Sequence, residues 1–93
     1  ENIKIPQKLN LDVYPSPLNG NVNISYILKS TENIEINIYD IIGNKKNIKK
    51  NIVNSNLGIN NHSMNLKNLN SGIYFLELKT QKMVETKKIT ILK

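Results

Sequence analysis

Apolar and polar residues alternate with a period of two along several stretches of this chain. Val22, Ile24, Tyr26 and Leu28 form one such series. Further series are Ile34, Ile36 and Ile38, and Tyr74, Leu76 and Leu78. Successive side chains of a β-strand point to opposite faces of a sheet, so each series can line one buried face. Because no window shows the apolar spacing of an amphipathic helix, the pattern predicts an all-β fold.

Turn-forming residues divide the chain into about seven strands. Gly, Pro and Asn, which favour turns, cluster between the apolar series. The strands predicted in this way span residues 8–14, 21–29, 33–40, 45–53, 58–66, 72–80 and 83–92. Seven short strands at this spacing are typical of an antiparallel β-sandwich of the immunoglobulin-like type. The length of 93 residues fits one small domain.

The positive charge of the chain comes from lysine alone. Thirteen lysines and seven carboxylates give a net charge of +6, and arginine is absent. Nucleic-acid readers commonly use arginine for paired contacts to guanine or phosphate, so we predict no nucleic-acid partner. The densest basic stretch contains Lys45, Lys46, Lys49 and Lys50. It favours an edge strand protected by lysine. The alternative is binding of nucleic acid, an anionic glycan or lipopolysaccharide, although the stretch lacks the aromatic residues that would stack on bases.

No group of residues matches a catalytic or metal-binding arrangement. Cysteine is absent and His62 is the only imidazole, which leaves little for a transition-metal site. Ser63 directly follows His62 and should point to the opposite face of a strand, where it cannot act as the nucleophile of a Ser–His pair. The carboxylates are scattered over different predicted strands. We therefore predict that the chain is not an enzyme and uses no cofactor or metal.

Several short motifs follow one another in a set order along the chain. They are Val13-Tyr14-Pro15-Ser16-Pro17, Val22-Asn23-Ile24-Ser25-Tyr26, Ile38-Tyr39-Asp40 followed by Gly43, Gly58 with His62, Leu69-Asn70-Ser71-Gly72-Ile73-Tyr74, and Lys87-Lys88-Ile89. In this order and spacing they resemble the C-terminal sorting domain of proteins exported by the type IX secretion system (Por secretion system) of Bacteroidetes-type bacteria. The resemblance covers roughly residues 11–93.

The resemblance implies an immunoglobulin-like sandwich and a non-catalytic sorting function. Residues 8–93 would form the sorting domain, and residues 1–7 would be the end of a linker from an upstream cargo domain. The type IX translocon would recognise the domain in the periplasm, and a sortase-like cysteine peptidase would commonly cleave the chain upstream of it. The cargo would then be released outside the cell or attached to lipopolysaccharide at the cell surface.

The same resemblance suggests roles for individual residues. The motif residues expected to support the fold are Tyr14, Pro15, Pro17, Gly43, Gly72 and Tyr74. The residues expected to be recognised lie at the terminal strand and are Lys87, Lys88, Ile89, Ile91 and Lys93. The isoleucines can pack on the sandwich or, if the strand is mobile, join an exposed edge by strand addition. An exposed terminal strand also allows an edge-strand homodimer.

The alternative function is that of an accessory β-sandwich in a secreted multidomain protein, either structural or carbohydrate-binding. Glycan-binding faces usually display exposed aromatic side chains. The chain has no Trp, and its aromatic residues are four Tyr and one Phe. This composition counts against the carbohydrate-binding alternative.

Overall fold

A computed structural model describes residues 9–15 and 20–93, which form seven strands. The strands are β1 (Asp12–Tyr14), β2 (Asn21–Leu28), β3 (Glu32–Asp40), β4 (Lys45–Ser55), β5 (Gly58–Asn65), β6 (Gly72–Lys79) and β7 (Val84–Ile91). Across the described residues there is no helix of the length and apolarity that a membrane span needs. The all-β prediction is confirmed, with a strand at each predicted place.

The strands form two antiparallel sheets. One has the order β1-β2-β5, and the other has the order β4-β3-β6-β7. This three-plus-four arrangement confirms the antiparallel β-sandwich of immunoglobulin-like type. The register between β2 and β5 is continuous over eight residue pairs, whereas the pairing of β3 with β4 contains two register shifts.

The alternating apolar residues of both sheets meet between the layers. The inward side chains of β2, β3 and β6 are all buried, namely Val22, Ile24, Tyr26, Leu28, Ile34, Ile36, Ile38, Tyr74, Leu76 and Leu78. Burying a Val, Leu or Ile side chain contributes roughly 1.5–3 kcal/mol relative to leaving it exposed. The period-two pattern of the sequence therefore describes the core correctly.

The first strand is shorter than predicted. The predicted strand spans residues 8–14, whereas β1 contains only Asp12–Tyr14. Leu9 and Leu11 are buried as the alternation requires, but Asn10 between them has a φ of 50°. This left-handed conformation, which Asn tolerates better than most residues, interrupts the extended backbone. The predicted linker at residues 1–7 lies outside the described residues.

Tyr74 forms a hydrogen bond that links the start of β6 to the connection between β5 and β6. Its ring is buried at the start of β6, and its hydroxyl donates a hydrogen bond of 2.8 Å to the carbonyl of Asn70. Such a tyrosine, bonded to the backbone a few residues upstream, is a known corner feature of immunoglobulin-like sandwiches. The bond ties the connection between β5 and β6 to the buried ring of Tyr74.

We expect Tyr74→Phe to lower the free energy of unfolding by about 1 kcal/mol, because it deletes one hydrogen bond and little else. Urea denaturation of the 93-residue chain would measure the change. Tyr14→Phe is the matched control, because Tyr14 is exposed and its substitution should leave the midpoint unchanged. Equal destabilisation by the two variants would contradict the assigned role of Tyr74.

Candidate functional site

Among the residues predicted for recognition, the two isoleucines lie in the core. Ile89 and Ile91 are 4% and 0% exposed, and they lie opposite Tyr74 and Gly72 of β6. β7 is paired with β6 along its whole length. In the folded domain, therefore, these two side chains are not accessible to a partner.

Lys87 and Lys88 are both exposed, but they lie on opposite faces of their sheet. Lys88 is paired with Phe75 on the outer face. Lys87 is paired with Leu76, which points into the core, so Lys87 lies on the inner side of the edge strand. The charges of Lys87 and Lys88 therefore lie on opposite sides of the sheet, although the two residues are neighbours in the chain.

The inner side of β7 forms one wall of an open groove beside β1. The groove is lined by Asn10, Leu11, Asp12, Glu85, Thr86 and Lys87. The backbone N–H of Leu11 donates a hydrogen bond of 3.1 Å to Oε1 of Glu85. This contact ties the segment before β1 to β7, and Lys87 lies at the rim of the groove. No sequence pattern indicates the role of Glu85, because its partner lies 74 residues away along the chain.

Lys93 lies beyond the end of β7 and is exposed. Its backbone N–H donates a hydrogen bond of 3.0 Å to Oγ of Ser71, and its Nζ donates to the carbonyl of Lys67. Both partners belong to the connection between β5 and β6. The last residue is therefore held against the sandwich, while its side chain remains at the surface.

The residues expected to support the fold have different environments. Tyr14 ends β1 and is 43% exposed, and a cis peptide bond joins it to the exposed Pro15. Pro17 lies outside the described residues. Gly72 is the first residue of β6. The contribution of each to stability stays a prediction.

Gly43 lies in an ordered turn between β3 and β4. Its φ of 93° is one that residues with a side chain rarely adopt. The Asp40 carboxylate oxygen Oδ1 accepts hydrogen bonds from the backbone N–H groups of Ile42 at 3.1 Å and Asn44 at 2.8 Å. The motif Ile38-Tyr39-Asp40 followed by Gly43 is therefore a turn motif in this chain.

The basic stretch on β4 is divided between two faces. Lys45 and Lys49 lie opposite Tyr39 and Asn37, on the outer face of the four-stranded sheet. Lys50 lies opposite the core residue Ile36 and so points to the other side. The stretch forms an edge strand, as predicted, and its charges do not form one continuous patch.

A buried amide lies on the outer face of the same sheet. Asn37 is 1% exposed, and its Nδ2 donates to the carboxylates of Glu35 at 2.9 Å and Glu77 at 3.1 Å. The Asn37 hydrogen bond, together with nearby lysines that include Lys79 and Lys45, lowers the pKa of Glu35. The alternating pattern would place Asn37 in solvent, but the long side chains around it cover it.

A second buried polar network joins the end of β4 to β5. Nδ2 of Asn60 donates to the carbonyls of Asn56 at 2.7 Å and Gly58 at 3.1 Å. Its Oδ1 therefore serves as an acceptor, and it receives a hydrogen bond of 3.0 Å from Oγ of Ser55. The single hydroxyl proton of Ser55 is used in this bond.

His62 belongs to the same network. The Tyr26 hydroxyl lies 2.8 Å from Oγ of Ser55 and 3.0 Å from Nε2 of His62. Because Ser55 has already donated its proton, Tyr26 donates to Ser55 and accepts from Nε2–H of His62. Ser63 lies on the exposed face, as predicted. His62 thus serves as a partner of Tyr26, whose ring stacks on it at 5.7 Å between centroids.

His62 should make the stability of the domain depend on pH. Burial, reinforced by the positive charge of Lys50, lowers the pKa of His62 in the folded state. The unfolded chain then binds more protons near the ordinary pKa of about 6.5, so the free energy of unfolding falls as the pH drops below that value.

We expect urea denaturation to show this loss between about pH 7 and pH 5.5, above the range in which carboxylates titrate. In His62→Gln the same interval should be nearly flat, because glutamine does not titrate. A wild-type midpoint that stays constant or rises on acidification would contradict the lowered pKa.

Residues 12–92 match the family described as the secretion system C-terminal sorting domain. Comparison with individual curated proteins finds no match. Domains of this family are C-terminal sorting signals of type IX secretion, attached to a cargo that reaches the cell surface or the extracellular space. No finding supports the alternative of an accessory or carbohydrate-binding sandwich. Because the match covers almost the entire chain, this protein belongs to the family of type IX secretion C-terminal sorting domains.

Proposed function

We propose that the type IX translocon recognises this domain in its folded form, through the exposed lysines at and beyond β7. The observation that carries the proposal is the division of the terminal segment into buried and exposed residues. Ile89 and Ile91 are buried in the core, whereas Lys87, Lys88 and Lys93 are at the surface. The isoleucines would therefore anchor β7 in the core, so that the lysines are held at the surface. Only the lysines would contact the partner.

The position of these lysines supports this division of roles. Lys87 lies at the rim of the groove beside β1, Lys88 lies on the outer face, and Lys93 is held near Ser71. Flexible ammonium groups on a rigid strand suit an acidic protein surface, because the backbone that carries them is already ordered. Because Lys87 and Lys88 lie on opposite faces of the sheet, we infer a translocon surface that is rich in carboxylates and contacts both faces of the β7 edge.

The remaining steps of sorting belong to the same proposal. The attached cargo would reach the periplasm first, and the folded domain would be recognised there. A sortase-like cysteine peptidase would then cut upstream of the domain and release the cargo or join it to lipopolysaccharide. The domain itself would supply no catalytic group, and the chemistry would belong to the peptidase.

The lysines can be tested by removing them together. In Lys87→Ala/Lys88→Ala/Lys93→Ala, we expect the affinity for the translocon to fall about tenfold, at about 0.5 kcal/mol for each exposed charge. Secretion of an attached reporter should fall with it. The free energy of unfolding should change by no more than about 1 kcal/mol, because the three side chains are exposed and the variant gives up one surface hydrogen bond, from Lys93 to the Lys67 carbonyl.

The matched control removes the same charge from the opposite edge of the sheet. Lys45→Ala/Lys46→Ala/Lys49→Ala lowers the net charge equally but leaves β7 intact, so it should be secreted normally. Equal losses in both triple variants would show that total charge matters and would refute recognition at β7. Normal secretion of the β7 variant would refute it as well.

A further inference from the structure

Each of the two sheets has two edge strands, and three of these four edges are protected against pairing with another chain. Unpaired N–H and C=O groups make an edge strand a template for association, which short strands, proline, lysine and bulges prevent. β1 has only three residues and is followed by Pro15. β4 carries four lysines and two register shifts. β7 carries Lys87 and Lys88.

The fourth edge, β5, has none of these protections. It runs for eight residues, Gly58–Asn65, in uninterrupted register with β2. Its sequence, GINNHSMN, contains no lysine, no carboxylate and no proline. The side chains on its outer face are all exposed and neutral, namely Ile59, Asn61, Ser63 and Asn65. Among the described residues, no strand pairs with β5 on the side away from β2.

The backbone of β5 points half of its hydrogen-bonding groups toward this open side. The N–H of Leu66 donates to the carbonyl of Gly20 at 3.0 Å, just beyond the end of the β2–β5 ladder. Antiparallel ladders alternate between bonded and non-bonded pairs. The even-numbered residues of β5 therefore bond to β2. The N–H and C=O groups of Ile59, Asn61, Ser63 and Asn65 face the open edge.

We propose that β5 pairs with β5 of a second copy of this chain, antiparallel about a two-fold axis. The two three-stranded sheets would then form one six-stranded sheet with the order β1-β2-β5-β5-β2-β1. A two-fold axis brings the same surface of both copies together, so the surface must be compatible with itself.

The distribution of charge favours a second copy at this edge. The chain carries a net charge of +6, which disfavours contact between two copies through lysine-bearing surfaces. The described strands of the β1-β2-β5 sheet contain one charged residue, Asp12, which lies at the far edge. Self-pairing at β4 or β7 would bring lysines against lysines. At β5, every cross-strand pair on the outer face joins neutral side chains.

Analytical ultracentrifugation of the 93-residue chain over a range of concentrations tests the proposal. Wild type should shift from monomer to dimer as the concentration rises. Ser63→Pro should raise the dimer dissociation constant at least about tenfold, because it removes an N–H that faces the open edge. This N–H makes no bond to β2, so the monomer keeps its ladder. Ser63→Ala keeps the N–H and should dimerise like wild type.

A second variant keeps the test valid if Ser63→Pro does not fold. Asn61→Lys adds a charge to the exposed edge and should also weaken the dimer, because both copies then carry lysine at the interface. Asn23→Lys makes the same substitution on the central strand β2, one strand removed from the interface, and should weaken the dimer much less. A wild-type monomer at every concentration, or a dimer that Ser63→Pro and Asn61→Lys leave intact, would overturn the proposal. Neither result depends on the sorting function.

Discussion

Ile91→Ala is expected to lower the free energy of unfolding by about 2–5 kcal/mol. Ile91 is fully buried at the end of β7, where it lies opposite Gly72. Removal of its outer carbons costs the transfer free energy of these groups and leaves a cavity that the neighbouring strands cannot fill completely. A domain of this size has a total stability of only about 5–14 kcal/mol, so the loss is a large part of it.

The neighbouring residue provides a matched control. Leu92 is 55% exposed and follows β7, so Leu92→Ala should change the free energy of unfolding by less than about 0.5 kcal/mol. Urea denaturation of both variants would measure the difference. Similar stabilities of the two variants would contradict the placement of Ile91 in the core. Similar stabilities would also agree with the prediction that the translocon recognises Ile91 itself.

Deletion of residues 83–93 is expected to abolish secretion of an attached reporter. The deletion removes Ile89 and Ile91 from the core, exposes the edge of β6, and takes away Lys87, Lys88 and Lys93. Both the fold and the proposed recognition surface are lost. The reporter should retain its own activity and remain with the cells, which fractionation of a type IX-competent culture would show.

The deletion should be compared with the triple variant Lys87→Ala/Lys88→Ala/Lys93→Ala, which removes the proposed recognition surface but keeps the core. Loss of secretion in both would place the signal in the lysines, whereas loss in the deletion alone would show that only the intact fold is needed. Normal secretion of the reporter lacking residues 83–93 would contradict a sorting role for the terminal strand.

Local patterning was sufficient to predict the strands. The alternation of Val22, Ile24 and Tyr26 with polar residues reflects the two faces of β2, and it depends only on neighbours along the chain. The order of the strands within the sheets depends on distant pairings and could not be predicted in this way. Asn10 shows a second limit, because one residue with positive φ shortened β1 although the apolar pattern continued through it.

The candidate site was predictable in part. The resemblance indicated the terminal strand, and the alternation of Ile89 and Ile91 is consistent with their burial. Lys87 has the same parity but remains exposed, because it lies at the rim of the groove beside β1. The contact between Leu11 and Glu85 that forms this groove joins residues from opposite ends of the chain. Only the folded structure brings them together.

The most direct test of the sorting function is the localisation of a fusion. Residues 1–93 would be joined to the end of a fluorescent protein that carries a periplasmic export signal. The fusion would be expressed in a type IX-competent host and in its translocon-null sibling. We predict fluorescence at the surface or in the medium of the competent strain only. Retention of the fluorescent protein in both strains, with the domain folded, would contradict a sorting function for this chain.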